Sequence, residues 1–342
     1  MAAFLTAGKA HIFYNYGYSN KQQMKPTIAY HASHEQFSPS ALLKFAVEAE
    51  KAGFQAIHCS DHFHPWTRQQ GNCGFSFAWL GAAMQAVNLP FGVVCAPGQR
   101  YHPAIVAQAA ATLSEMFPNR FWMSLGSGEA INECITGDEW PDKSTRNVRL
   151  GECAYVIKSL LKGEQVSHVG EIKIKNARLF TLPETIPPIM GAALSAETAA
   201  VVASWGDGLI TTHRPVEELK EIIAAFRRSG GANKPLYLKV ALSYSDTENN
   251  AMIGAYEQWR ANQLPPKDLA DIENPEEFEE KSAHLAKADM HEGIHISADP
   301  QKHIEWIKQY AGLGFEKIIL HNVNIEQEKF IKDFGQFVLP NI

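Results

Sequence analysis

The sequence of 342 residues lacks the features expected of a membrane, secreted or nucleic-acid-binding protein. No stretch approaches the roughly 18 apolar residues of a membrane span, and the first residues lack the apolar centre and cleavage site of a signal peptide. The net charge of -6 provides no basic excess for nucleic acid or for an anionic membrane surface. We therefore expect a cytoplasmic protein that acts on a small molecule, without a nucleic acid or a membrane as its partner.

Cysteine is scarce, and its spacing argues against both disulfide bonds and structural zinc. The five cysteines are scattered along the chain without a CxxC pair: Cys59, Cys73, Cys95, Cys134 and Cys153. An odd number of cysteines without paired spacing matches neither a disulfide framework nor a zinc-binding pattern. This usage fits a reducing compartment such as the cytoplasm.

Strand and helix patterns alternate along the chain from Lys25 onward. In the first unit, the apolar run "PTIAYHAS" precedes a helical segment. Ser38 is suited to cap the start of that helix, Pro39 to its first turn, and Gly53 to its C-terminal end. Eight such units follow one another, which predicts an α/β fold of the (β/α)8 TIM-barrel type. Residues 1–24 lack this pattern, so we expect a disordered extension or an oligomer arm before a single domain over residues 25–342.

Two insertions interrupt the alternation of strands and helices. The segment "EQVSHVGEIKIKNARLFT" alternates polar and apolar residues around Gly170, which predicts a small β excursion before the fifth strand. Residues 245–298, between the seventh and eighth strands, are too polar for a core strand and favour helices or a lid at the barrel mouth.

The stretch "HCSDHFHPW" follows the second predicted strand, at the end of the barrel where active sites lie. It contains Asp61, His62, His64 and Trp66. The pair His62 and His64 resembles the metal ligands of barrel hydrolases, but those enzymes carry the pair on the first strand and an aspartate after the eighth. A cofactor or substrate site is therefore the favoured interpretation, with no metal ligands assigned and a metal hydrolase as the distant alternative.

Three further loops carry polar residues at the same end of the barrel. In "GSGE", residues 126–129, the glycines would let a planar ring approach and Glu129 could hydrogen-bond or protonate it, although a tight turn with a solvated carboxylate is the alternative. Ser195, before a helix, could bind phosphate or act as an ordinary cap. Arg214 could bind an anion or lie on the surface.

The motifs "SDHFHPW", "PNRFWMSLGSGEAINE" and "WGDGLITT", in this order and spacing, resemble those of the luciferase-like flavin and deazaflavin oxidoreductases. Within that family the sequence is similar to the branch of the F420-dependent glucose-6-phosphate dehydrogenases. The resemblance covers nearly everything after Lys25 and implies a (β/α)8 barrel, a cofactor that is F420 or FMN, and a homodimer.

The resemblance also implies roles for individual residues. The catalytic residues would be His62, the base that takes the proton of a substrate hydroxyl, Glu129, which acts on the ring, and Trp66, which lies over the reacting centre. The residues implied for cofactor binding are Asp61, Val94, Cys95, Ser127, Gly128, Ala193, Leu194 and Ser195. Val94 and Cys95 match a bulged cis junction behind the ring, and the loop of Ala193, Leu194 and Ser195 would hold its phosphate.

The substrate side departs from the pattern of that branch. Thr211 matches a sugar-phosphate contact and Arg214 can replace a lysine, but the other cations of the pattern fall on Leu269, Ala270 and Gly293. One cation binds a phosphate dianion less well than three, so glucose 6-phosphate is not the expected substrate. The prediction is hydride transfer between the ring and a small alcohol or carbonyl compound, with an FMN-dependent monooxygenase or a non-catalytic flavin-binding protein as alternatives.

Overall fold

Parallel strands alternate with helices throughout the computed structural model, which describes residues 25–342. The strands are β1 (Thr27–Ala32), β2 (Ala56–Ser60), β3 (Phe91–Cys95), β4 (Phe121–Leu125), β5 (Val166–Val169), β6 (Lys173–Ala177), β7 (Ile189–Ala192), β8 (Gly208–Thr212), β9 (Leu236–Ser243), β10 (His295–Ile296) and β11 (Lys317–Asn322). The predicted N-terminal extension, residues 1–24, lies outside the described residues.

The helices connect these strands and surround them. They are α1 (Pro39–Ala52), α2 (Ser76–Ala86), α3 (Pro103–Met116), α4 (Ala130–Glu133), α5 (Lys143–Leu161), α6 (Ala196–Val202), α7 (Val216–Phe226), α8 (Glu248–Trp259), α9 (Pro266–Asp271), α10 (Pro275–Ser282), α11 (Pro300–Ala311) and α12 (Gln327–Asp333). Short 3-10 or π segments lie at Cys134–Thr136, Arg227–Gly231, Arg260–Gln263, Lys287–Glu292, Phe334–Val338 and Leu339–Asn341. Within residues 25–342, no helix is long and apolar enough to cross a membrane.

Eight parallel strands close into a barrel in the order β1, β2, β3, β4, β7, β8, β9 and β11. The register of β11 against β1 pairs Thr27 with Lys317, and the pairing of β8 with β9 completes the ring. The predicted (β/α)8 barrel is confirmed. Its first helix begins and ends as expected, because the Ser38 side chain accepts a hydrogen bond from the Ala41 amide and Gly53 adopts a φ of 97°.

Both predicted insertions are present. The antiparallel hairpin of β5 and β6 lies between α5 and the fifth barrel strand. Helices α8, α9 and α10 and the short strand β10 lie between the seventh and eighth barrel strands. The apolar face of this second insertion packs on the mouth of the barrel, where Phe278 contacts the edge of Trp66 with ring centroids 5.2 Å apart. This insertion therefore forms one wall of the site.

The barrel interior contains a layer of buried histidines below its mouth. Nδ1 of His31 lies 3.0 Å from Nδ1 of His58, and the rings of His31 and His321 are 4.3 Å apart. Burial lowers the pKa of all three rings well below the ordinary histidine value, so they are neutral at pH 7. One histidine of the His31 and His58 pair must therefore donate to the other. His58 itself is 0% exposed.

Candidate active site

His62 lies between two carboxyl groups at the mouth of the barrel. Its Nε2 atom is 3.5 Å from Oε1 of Glu35, which follows β1, and 3.6 Å from Oε2 of Glu129, which follows β4. The ring of Trp66 lies beside the imidazole, with centroids 5.2 Å apart. The fold thus brings together all three predicted catalytic residues, although they come from two different strand ends.

Glu35 is held as an anion beneath this histidine. The Ser33 and Ser60 hydroxyls donate hydrogen bonds to it at 3.0 and 2.7 Å. Burial alone would raise its pKa, but His62, Lys239 and the Ser60 hydrogen bond outweigh burial and bring the pKa below the ordinary glutamate value. Glu35 is only 2% exposed, so an ionised carboxylate is available to His62 inside the protein.

Glu129 is in a different electrostatic environment from Glu35. Its side chain is 35% exposed at the mouth, but protein atoms still exclude much of the water around its carboxyl group. Burial raises its pKa, the nearby charge of Glu35 adds to that rise, and His62 and Lys239 oppose it. Two carboxyl groups of unequal acidity therefore flank one imidazole, which is an arrangement suited to moving a proton.

Asn132 connects the histidine loop to the glutamate loop. Its side-chain oxygen accepts hydrogen bonds from the amides of Phe63 and His64 at 2.8 and 3.3 Å, and its nitrogen donates to Glu129 at 3.3 Å. The His64 ring lies 2.8 Å from the carbonyl oxygen of Ile131 through Nδ1. These contacts fix the loop after β2 against α4. Within the described residues, no group of three potential ligands is arranged to hold a metal ion.

The side chain of Gln70 holds the backbone of Trp66 in place. The Trp66 amide donates to the Gln70 side chain at 2.9 Å, and Gln70 in turn donates to the carbonyl of Gln258 at 2.9 Å. The indole is 6% exposed. It therefore forms a rigid wall that keeps water away from one side of His62.

Asp61 is buried, and its carboxylate accepts hydrogen bonds from neighbouring side chains. Ser76 donates to one oxygen at 2.6 Å, and Arg100 donates to the other at 2.9 Å. Arg100 also pairs with Glu133 at 3.5 Å. The Asp61 side chain is 0% exposed, so any contact with a cofactor would come from its backbone. This network instead holds β2, the loop after β3 and α4 in a fixed arrangement.

The expected bulged cis junction at Val94 and Cys95 is not present. Every peptide bond in residues 25–342 is trans. Val94 pairs with Ser60 on one side and Ser124 on the other in unbroken parallel register, and the Cys95 carbonyl accepts the Gly126 amide at 3.0 Å. Regular pairing on both sides satisfies the backbone here, so the predicted bulge was wrong. Their assignment to cofactor binding stays a prediction.

The residues predicted to hold the ring and its phosphate lie on neighbouring loops. Gly128 has a φ of 84°, and a Cβ there would lie 3.0 Å from Glu133. Ser127 accepts a hydrogen bond from the ammonium group of Lys143 at 2.7 Å. Ala193 is buried and Leu194 is 52% exposed. Ser195 caps α6 through the Thr198 amide, so the capping alternative is observed for this residue.

The two predicted substrate residues differ in their surroundings. Thr211 is 2% exposed, and its hydroxyl has no hydrogen-bond partner among the described residues. Arg214 lies 3.8 Å from Glu218 on the next helical turn and is 26% exposed. Within residues 25–342, Glu218 is the one carboxylate that pairs with Arg214, and it is itself half-exposed, so this pair is weak.

The sequence patterns did not reveal Glu35, Asn132 or Lys239. Glu35 is in "HASHEQF", beside two histidines that face away from the site: His31 faces the barrel core, and the His34 ring contacts the carbonyl of Gly74 at 2.9 Å. The signal that could have revealed Lys239 is a charged residue inside "PLYLKVALS", an apolar strand pattern. A lysine within a buried parallel strand requires an explanation.

Comparison with known families gives the identity of this fold. A family model described as luciferase-like monooxygenase matches residues 22–317. The chain belongs to the luciferase-like family. The resemblance drawn from "SDHFHPW" and the other motifs is confirmed, and so is the prediction that the protein is an enzyme of this oxidoreductase family.

Relatives of this luciferase-like enzyme include named dehydrogenases. The F420-dependent glucose-6-phosphate dehydrogenase of Nakamurella multipartita is 32% identical over 329 residues, which cover 92% of this chain and 96% of that protein. The structure of an F420-dependent secondary alcohol dehydrogenase with an F420-acetone adduct is 26% identical, has a TM-score of 0.86, and is matched over 93% of this chain and 99% of that one.

A monooxygenase shares the same fold. The monooxygenase RslO1 from Streptomyces bottropensis is 15% identical with a TM-score of 0.70, covering 92% of this chain and 99% of that one. At this identity the similarity shows the barrel architecture alone. These similarities agree with the prediction that the cofactor is F420 or FMN.

Proposed function

We propose that this luciferase-like enzyme transfers a hydride between F420 or FMN and a small alcohol or carbonyl compound. The observation that carries this proposal is the placement of His62 between Glu35 and Glu129, with the Trp66 ring beside it. Removing a hydride from an alcohol carbon also requires removing the hydroxyl proton, and an imidazole is suited to accept that proton near neutral pH.

The residues at the barrel mouth fit a planar ring cofactor. Buried polar atoms without partners among the described residues, such as Nδ1 of His62 and Oγ1 of Thr211, need partners from a bound molecule or water. Glu129, Ser127, Gly128 and the loop of Ala193, Leu194 and Ser195 are the residues that would hold the ring and its phosphate. When bound, F420 or FMN supplies the hydride acceptor or donor.

The side chains of this protein would manage the proton. His62 takes it from the substrate hydroxyl, and the ionised Glu35 stabilises the imidazolium through a charge-assisted contact. Glu129, whose pKa is raised by burial, can hold a proton at neutral pH better than an ordinary glutamate. The insertion that carries Phe278 and the Trp66 ring limit the access of water to this pair.

The substrate we propose carries no phosphate. The positions where sugar-phosphate enzymes of this branch are expected to have cations are Leu269, Ala270 and Gly293. Leu269 packs on the apolar face of the insertion, beside the cluster that contains Trp66 and Phe278. An apolar wall favours a small alcohol or ketone over a dianion, because a buried phosphate without paired cations is strongly unfavourable.

The first test is a titration of purified protein with FMN and with F420, followed by turnover of secondary alcohols. We expect one of the two rings to bind, and His62→Ala to keep that affinity while turnover falls by about 10²-fold or more. His168→Ala, in the hairpin of β5 and β6 and outside the proposed site, is the matched control and should keep full turnover. Binding of neither ring, or unchanged turnover in His62→Ala, would contradict the proposal.

The second candidate is an FMN-dependent monooxygenase, which the family description favours. Oxygen consumption coupled to reduced FMN and to a product oxygen atom would support it. Tight ring binding without any turnover of alcohols or oxygen would instead indicate a non-catalytic flavin-binding protein.

A further inference from the structure

The backbone of the loop after β2 is held by side chains where it passes the catalytic centre. In the segment Phe63–Trp66, the first two amides donate to Oδ1 of Asn132 at 2.8 and 3.3 Å. The Trp66 amide donates to Oε1 of Gln70 at 2.9 Å. Backbone groups of a buried loop need such partners, so the side chains that supply them decide where the loop lies. For Trp66 that side chain is Gln70.

Gln70 bridges Trp66 and the second insertion. Its Nε2 atom donates to the carbonyl oxygen of Gln258 at 2.9 Å, and Gln258 lies in the last turn of α8. Gln70 is 3% exposed and Gln258 is 8% exposed, so the bridge is inside the protein. The Trp66 ring meets the same insertion at Phe278, with ring centroids 5.2 Å apart. The insertion therefore holds both the backbone and the ring of Trp66.

The same turn of α8 also reaches the loop that carries Glu35. Oε1 of Gln258 accepts a hydrogen bond from Nε2 of Gln36 at 3.2 Å, and Gln36 directly follows Glu35 in the chain. Nε2 of Gln36 also donates to the carbonyl of Val323 at 2.7 Å, and its Oε1 lies 3.1 Å from Nε2 of His321. One residue of the insertion is thus bonded to both loops that flank the catalytic histidine.

The chemistry of a buried glutamine at position 70 is matched to its two partners. A buried amide group is unfavourable unless both its donor and its acceptor are bonded, and both are bonded here. An apolar side chain of the same length would leave the Trp66 amide and the Gln258 carbonyl without these partners. Arg68 also joins this loop to the insertion, through Glu279 on α10, but that pair is exposed and correspondingly weak. Gln70 provides the buried connection.

We propose that Gln70 is a positioning residue of the catalytic centre, which sets the Trp66 ring beside His62 by bonding the Trp66 backbone to the insertion. The two rings have centroids 5.2 Å apart, so a small shift of the loop would open this wall to water. The inference rests on the proposed function in that Trp66 is taken to shield the proton transfer at His62. Gln70 acts through Trp66 and not on the reacting atoms.

The kinetic test compares Gln70→Met with Gln69→Met, since Gln69 is an exposed glutamine next in the chain. In Gln70→Met, kcat should fall about tenfold through misplacement of the wall. Its ring affinity should not change, because Gln70 is outside the residues proposed to hold the ring. Gln69→Met should keep kcat. An unchanged kcat in Gln70→Met, or a loss of ring affinity as large as the loss of kcat, would overturn the proposal.

A double variant separates an effect through Trp66 from a general weakening of the fold. Residues that act as a unit have non-additive effects on turnover. Gln70→Met introduced into Trp66→Phe should therefore lower kcat little further. The same tenfold loss in both backgrounds would show that Gln70 does not act through Trp66 and would overturn the proposal.

A further measurement depends on neither activity nor cofactor. The protein has seven tryptophans, and fluorine NMR of the 5-fluorotryptophan-labelled protein follows them, with the Trp66 signal identified by Trp66→Phe. In Gln70→Met the Trp66 signal should shift or broaden, while Trp79 and Trp205, which pack in the other core, keep their signals. An unmoved Trp66 signal, or an equal change in all three, overturns the proposal, and this result decides it even if no alcohol is oxidised.

Gln70→Asn is the milder variant for the same measurement. It keeps the amide group but is one methylene shorter, so it cannot reach both Trp66 and Gln258. The Trp66 signal should move in this variant too. If Gln70→Met does not fold, Gln70→Asn takes its place, and an unmoved Trp66 signal in it overturns the proposal.

Discussion

Nε2 of His62 lies 3.5 Å from Oε1 of Glu35, a residue that is 27 positions away in the sequence but on the adjacent barrel strand end. Glu35 is almost completely buried, and the Ser33 and Ser60 hydroxyls orient its carboxylate. The pair thus places a buried carboxylate beside the His62 ring.

Glu35→Gln should reduce turnover with little effect on cofactor binding. The amide keeps the shape of the side chain but cannot stabilise an imidazolium by charge, so we expect kcat to fall by about 10²-fold. Steady-state kinetics and a ring titration on the same preparation test both parts. Wild-type kcat in this variant would show that His62 works without an anionic partner.

The two glutamates should affect stability in opposite directions with pH. The pKa of Glu35 is lowered in the fold, so its ionised form stabilises the protein above the unfolded-state pKa, and this stability is lost as the pH falls through the folded-state value. Glu35→Gln should therefore lower Tm at pH 7, and the Tm of this variant should approach that of the wild type in acid. Glu129 has a raised pKa, so Glu129→Gln should raise Tm at pH 7 by removing a disfavoured charge, and that gain should also vanish in acid. Thermal unfolding between pH 7 and pH 4 checks both signs, and the same sign in both variants would contradict these assignments.

Arg100→Met should destabilise the protein much more than the loss of an exposed ion pair. Arg100 is 7% exposed and neutralises Asp61 and Glu133, which are themselves buried, so its removal leaves two carboxylates without a cation. We expect a loss of about 3–5 kcal/mol in the free energy of unfolding. Arg68→Met, which breaks the exposed pair with Glu279, is the control and should lower the free energy of unfolding far less. Urea unfolding measures both, and equal losses would show that the buried network contributes little.

Gly128→Ala should weaken cofactor binding because the glycine loop would have to move. Gly128 has a φ of 84°, and a Cβ would lie 3.0 Å from Glu133 and 3.2 Å from Trp140. Gly137→Ala is the matched control, since Gly137 has a φ of 80° with no atom within 4 Å of such a Cβ. Both variants should lose about 1 kcal/mol of stability through backbone strain. Only Gly128→Ala should also weaken ring affinity, measured by absorbance titration, and equal affinities would remove this loop from the ring site.

The homodimer expected from the family resemblance stays a prediction, as does a role for residues 1–24 as an oligomer arm. Gel filtration of the full chain and of a variant that starts at Met24 would test both. A monomer in both cases would contradict the family expectation, and a dimer in the full chain alone would support the arm.

The sequence by itself determined the barrel and three of the residues at its centre. Alternating strand and helix periods predicted eight βα units, because burial imposes a different period on each element. The clustering of polar residues after β2 and β4 placed His62, Trp66 and Glu129 among the candidates, since all strand ends of a parallel barrel meet at one face. The family resemblance then assigned them catalytic roles.

Only the tertiary structure decided how those residues are paired. Ionisable groups act over distances in space that strand order does not reveal. Glu35 therefore became part of the centre only once β1 was placed beside β2. The fold likewise directs the Asp61 carboxylate to Arg100 and keeps the bond between Val94 and Cys95 trans. A motif predicts which residues reach the mouth of a barrel, whereas burial and neighbouring charge decide which of them remain free to react.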